Sequence, residues 1–124
     1  QGLMSVLEEE GVGMVAFSPL AQGMLTDKYL NGIPQDSRAA RATGFLQESA
    51  ITPEVVAKIR RLNELAKERN QTLAEMALAW LLRKKVVTSV IVGARNSEQL
   101  LTNLKALDNL EFSEEELAEI EKTI

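Results

Sequence analysis

The chain has 124 residues, a formal net charge of −4 and an isoelectric point near 4.9, so no global basic field draws in nucleic acid. With 45% hydrophobic and 26% charged residues and a mean hydropathy of −0.08, it falls outside the disordered class and is long enough for one domain with a core. It contains no cysteine and no histidine, which excludes disulfides, thiol chemistry and the commonest neutral-pH acid–base group and metal ligand. The missing cysteines fit a reducing compartment, and a cytoplasmic location is expected.

The first residues, QGLMSVLEEEGVG, lack the basic start and apolar centre of a signal peptide. They read as the end of a helix, with Leu3, Val6 and Leu7 on one side and Gly11 as the stop. No apolar run approaches the roughly 18 residues of a membrane span. VGMVAF (residues 12–17) is apolar without polar alternation, as expected of a parallel strand buried on both faces. Residues 18–50 are rich in turn formers and weakly periodic. A loop of that length in a compact domain is usually functional or disordered.

Thr52-Pro53-Glu54 predicts a helix start, and Val55, Ile59, Leu62 and Ala66 continue it as an apolar stripe. Thr72 and Glu75 have capping-box spacing and open a second helix, whose apolar side carries Leu73, Met76, Ala77, Trp80 and Leu81. Arg83, Lys84 and Lys85 close it and complement its dipole. VTSVIV (residues 87–92) is the second predicted strand. A helix over residues 97–107 then aligns Leu100, Leu104 and Leu107, and a capping box at Ser113 and Glu116 opens a last helix through Leu117 and Ile120. Strands separated by helices indicate the α/β class with a parallel sheet. Two parallel strands cannot cover themselves, so the sheet wants further strands: the chain reads as a slice of a larger barrel or open sheet.

SVIVGARNSEQLLTN (residues 89–103) runs from the second strand through Gly93 and Arg95 into a helix. A tight turn beside a solvated arginine would account for it. So would a phosphate cradle, because the first N–H groups of a helix point outward with partial positive charge. Gln99 has two readings of its own. As the third residue of the helix it can reach back to the backbone, or its amide can face a ligand.

Together, FSPLAQGMLTDKYLNGIPQDSR, ALAWLL and IVGARNSEQLLTN resemble the C-terminal part of aldo-keto reductases. The resemblance is best to the branch containing bacterial glyceraldehyde-3-phosphate reductases and potassium-channel β subunits. It implies a (β/α)8 barrel of which residues 1–124 are the C-terminal fragment: strands seven and eight, their helices and the C-terminal helix. Residues 19–50 would be a long cofactor-side loop. Such barrels build a phosphate site from the loops after strands seven and eight, where both motifs fall.

Position by position, the resemblance implies an NADP(H) site. Phe17 lies beside the nicotinamide and Ser18, Pro19 and Leu20 line the cofactor near its pyrophosphate. Gly23 and Leu25 shape the loop that folds over it, and Lys28 and Arg38 are basic residues near the phosphates. Gly93 lets the backbone approach the nucleotide. Arg95 takes the 2′-phosphate, a task suited to a guanidinium, and Gln99 and Asn103 read the adenine. Thr102 stands where many relatives have an acidic residue. The family's catalytic tyrosine, lysine, aspartate and histidine lie on earlier strands. Tyr29, the only tyrosine, matches none of these positions, so no catalytic residue and no metal site is expected here.

The resemblance implies reduction of aldehydes or ketones by hydride transfer in the complete barrel, with a small carbonyl substrate and negligible turnover by this chain alone. The alternative is a non-catalytic fragment or an accessory binding module resembling the channel β subunits. Exposed strand edges favour self-association or pairing with a missing N-terminal part. Residues 65–82 superficially resemble a helix-turn-helix, but the early second helix offers only Glu75 as a charged group, a poor DNA surface.

Overall fold

The computed structural model describes residues 2–35 and 48–124. Five helices, α1 (Leu3–Glu9), α2 (Pro53–Glu68), α3 (Leu73–Leu82), α4 (Ser97–Leu104) and α5 (Glu114–Thr123), accompany two strands, β1 (Met14–Phe17) and β2 (Val87–Ile91). Four 3-10 turns, at Ala21–Gly23, Asp27–Tyr29, Glu48–Ala50 and Lys105–Asp108, complete the described residues.

The helix boundaries follow local chemistry. At the end of α1, Gly11 takes φ 67°. Its N–H donates to Glu8 O at 3.3 Å and that of Val12 to Leu7 O at 2.9 Å, the paired bonds of a Schellman stop. The same stop ends α2, where Asn70 (φ 58°) donates to Lys67 O and Gln71 to Ala66 O, both at 2.9 Å. Thr52 caps α2, and both predicted capping boxes, Thr72 with Glu75 and Ser113 with Glu116, are formed.

β1 and β2 pair in parallel as a two-stranded sheet, with Phe17 beside Ile91, Ala16 beside Val90 and Val15 beside Ser89. Met14 pairs with Val87, so Thr88 is an extra residue at an irregularity between the first two pairs. Gly13 lies against it: a Cβ at Gly13 would sit 2.2 Å from Thr88 Oγ1. That contact and the turn after α1 start β1 two residues later than the apolar run suggests.

One sheet face packs against α3, where Val87 is buried. The other is open: Val15, Phe17 and Ile91 are 58%, 79% and 61% exposed. The strands are therefore not buried on both faces within the described residues. The main core lies among the helices, where Ile59, Leu62, Leu65 and Ala66 of α2 meet Leu73 and Met76 of α3 and Ile120 of α5. α3 differs from the expected single stripe, because Leu78 and Ala79 are buried as well as Leu73 and Met76. It is sandwiched between α2 and the layer of β2 and α4. The Leu100, Leu104 and Leu107 face stays exposed, and α4 ends at Leu104 before a 3-10 turn.

Among the described residues, no helix is long and apolar enough to cross a membrane.

Candidate functional site

Parallel pairing of adjacent strands places their C-terminal ends side by side, about 4.8 Å apart. Phe17 and Ile91 are the last paired residues, so the segment beginning at Ser18 and the segment through Gly93 leave the same end of the sheet as neighbours. The two motifs, separated by seventy-odd residues of sequence, are brought together by this one pairing.

The first segment is tightly wound. Ser18, Ala21 and Gln22 have φ values of 52°, 47° and 60°, and Gly23 has 101°. Left-handed backbone at three non-glycine residues within five positions is costly and must be held by its surroundings. The holding contacts are visible. Ala21 N–H donates to Ser18 O at 3.0 Å, Gly23 to Leu20 O at 2.8 Å and Leu25 to Leu20 O at 3.2 Å. Thr26 Oγ1 donates to Gly23 O at 2.6 Å and accepts from Lys28 N–H at 3.2 Å. Met24, Leu25 and Leu30 pack on the helical core, and Arg60 Nη2 of α2 donates to Leu30 O at 3.4 Å.

These contacts sort the expected site residues. Phe17 and Ser18 are exposed at the strand end, while Pro19, Leu20, Gly23 and Lys28 are half-buried. Leu25 is turned into the helical core, where it anchors the loop. Arg38 lies outside the described residues. Tyr29 is 1% exposed among Met24, Ile33 and Ile51, with its hydroxyl buried and, among the described residues, without a hydrogen-bond partner. A phenol enclosed in this way cannot serve as a substrate's proton donor.

The second segment is open to solvent from Gly93 through Gln99. A Cβ at Gly93 would meet no described atom within 4 Å, and its φ is not in the left-handed range. The protein's own packing therefore does not require glycine there. Asn96 caps α4, its Oδ1 accepting from Gln99 N–H at 2.9 Å. Gln99 Oε1 in turn accepts from Arg95 N–H at 2.9 Å. Both hydrogen bonds realise the capping reading of Gln99, with the side chain reaching one residue further back than in an ordinary capping box. One turn on, Asn103 is half-buried and lines an open cleft of about 300 Å³ between α3, β2 and α4, with Leu78, Leu82, Val90 and Leu104.

The donor set at this end of the sheet suits an anion. After β2 it comprises the N-terminal turn of α4 and an unobstructed glycine backbone, with Arg95 between them in sequence, while Lys28 belongs to the segment that follows β1.

The aldo/keto reductase family profile matches residues 1–124. An L-glyceraldehyde 3-phosphate reductase of Escherichia coli O157:H7 is 51% identical over 128 residues, and one of E. coli strain K12 is 50% identical over 128 residues. Each alignment covers 99% of this chain and 36% of the relative, so the chain spans about a third of the length of these relatives.

Proposed function

The chain belongs to the aldo/keto reductase family, and from that premise we propose that it is the NADP(H)-binding part of a reductase acting on aldehydes or ketones. The observation that carries this proposal is the parallel pairing that ends at Phe17 and Ile91. It sets the wound Ser18–Leu25 segment beside the open Gly93–Gln99 segment. The names of the two E. coli relatives support carbonyl reduction as the reaction class.

The residues present fit a phosphorylated nucleotide. Arg95 would hold the 2′-phosphate and Lys28 a neighbouring phosphate, with Arg38 as a further cation of the same loop. Ser18, Pro19, Leu20 and Gly23 would line the pyrophosphate, and Gly93 would admit the nucleotide to the backbone. Asn103, at the mouth of its cleft, would face the adenine, and Phe17 the nicotinamide. Bound there, the dihydronicotinamide supplies the hydride. What these residues contribute is grip and orientation. The proton donor belongs to the earlier strands of the barrel: of the family's tyrosine and histidine, the chain has no histidine and its one tyrosine, Tyr29, is enclosed.

The open sheet face then corresponds to the interior of a (β/α)8 barrel, completed by strands that these residues do not supply. The partner is an N-terminal part of the same family or, failing that, a second copy of this chain. A cytoplasmic location belongs to the same proposal. The enclosure of Tyr29 also favours a second role, a nucleotide-binding accessory module without turnover of its own.

The test is NADPH consumption with a simple aldehyde, by the purified chain alone and mixed with the N-terminal part of one of the relatives. No turnover alone and turnover in the mixture is the expected result. Turnover by the chain alone, surviving contaminant controls, would overturn the division of labour.

A further inference from the structure

The side-chain oxygen of Gln99 is already committed, since it accepts from Arg95 N–H at 2.9 Å. The Gln99 N–H donates to Asn96 Oδ1 at the same distance. These two bonds close residues 95–99 into a ring that ties the loop after β2 to the first turn of α4. A capping-box side chain ordinarily returns to the N-cap residue itself, which here is Asn96. Gln99 passes over it and holds the residue before, Arg95.

We propose that Gln99 is a positioning residue for the 2′-phosphate. Its Oε1 pins the Arg95 backbone, sets the direction from which the guanidinium leaves the loop, and so governs the preference for NADPH over NADH. This rests on the assignment of Arg95 to the 2′-phosphate. It departs from a purely adenine-reading Gln99 in a measurable way. NADPH and NADH share the same adenine, so an adenine contact affects both equally. A residue acting through Arg95 affects only the nucleotide that carries the extra phosphate. With one lone pair of its oxygen engaged, Gln99 keeps one acceptor site and its two Nε2 donors.

The experiment compares the wild-type chain with Arg95→Ala, Gln99→Met and the double variant. Affinities for NADPH and NADH are measured by calorimetry, and amide hydrogen exchange at Arg95 is followed in the ligand-free chain. Methionine keeps the length of glutamine and removes the acceptor. Gln99→Met is expected to speed exchange of the Arg95 N–H, with Gln99→Glu, which keeps an acceptor, restoring its protection. It should lower the NADPH-to-NADH affinity ratio by roughly tenfold, a single well-placed interaction's worth. In the Arg95→Ala background the ratio should not fall further, because the coupling passes through Arg95.

Equal weakening of both nucleotides, an unchanged ratio, or the same loss of ratio with Arg95 already removed would each overturn the positioning role. A ratio unaffected by Arg95→Ala, or no binding of either nucleotide, would instead remove the underlying assignment, and this inference with it.

Discussion

Arg69 Nη1 lies 2.7 Å from Glu116 Oε2, joining the end of α2 to the start of α5, and the Arg69 side chain is only 3% exposed. The same guanidinium donates to Gln71 Oε1 at 3.0 Å and to Glu111 O at 2.8 Å, and lies 3.7 Å from the centre of the Phe112 ring. Glu116 Oε2 also accepts from Ser113 N–H at 2.7 Å, so one carboxylate oxygen serves both the capping box and the ion pair. Together they lock α5 onto the helical core on which Met24, Leu25 and Leu30 of the cofactor-side loop rest.

Removing a buried guanidinium strands the acceptors it served. Arg69→Met, which keeps the aliphatic stem, should destabilise the chain by about 2–3 kcal/mol, less than for a fully enclosed pair because Glu116 is partly solvated. Urea denaturation reads this as a lower midpoint at unchanged slope. A loss below about 0.5 kcal/mol would mean that the network is ornamental.

Tyr29 gives the opposite sign. Its buried hydroxyl lacks a hydrogen-bond partner among the described residues, so Tyr29→Phe should be neutral or stabilising by up to about 1 kcal/mol. Nucleotide binding should not change. Thermal melting decides it, and a clear loss of stability would reveal a partner for the hydroxyl.

At Gly13 the difficulty is steric. A new methyl group would meet Thr88 Oγ1 at 2.2 Å, while Thr88 Cβ stands at an ordinary 3.4 Å. Gly13→Ala should cost about 1–3 kcal/mol, and Thr88→Ala in the same chain should recover most of that loss. If the double variant is as unstable as the single one, the close approach is not what requires glycine.

Gly93 has neither constraint, since a Cβ there meets no described atom within 4 Å. Gly93→Ala should leave stability unchanged or raise it by up to about 1 kcal/mol through the unfolded chain. The same substitution should weaken NADPH binding by roughly tenfold if the nucleotide approaches that backbone. Calorimetry alongside melting separates the two effects.

What could be read from the sequence was local. Gly11, Thr52, the two capping boxes and the α2 stripe depend on neighbours within a few residues, and each forms as the spacing implies. What could not be read was long-range. Arg69 looks like an ordinary C-terminal cation until Glu111, 42 residues away, is folded against it. The two-sided burial of α3 depends on β2 and α4 packing opposite α2. Conversely, Leu100, Leu104 and Leu107 form a proper helical stripe, yet among the described residues nothing buries it. At the site, the motif positions were legible through family resemblance. The Gln99–Arg95 clamp is a one-residue displacement of a familiar cap, and spacing alone does not distinguish the two.

The most direct measurement is a titration of the purified 124-residue chain with NADPH and, separately, with NADH, followed by heat or by Trp80 fluorescence. Saturable binding that favours NADPH is the expected result, and it would mean that the two strand-end segments form a competent grip without further strands. Absence of saturable binding, or equal affinity for the two nucleotides, would contradict the assignment of this end of the sheet to NADP(H).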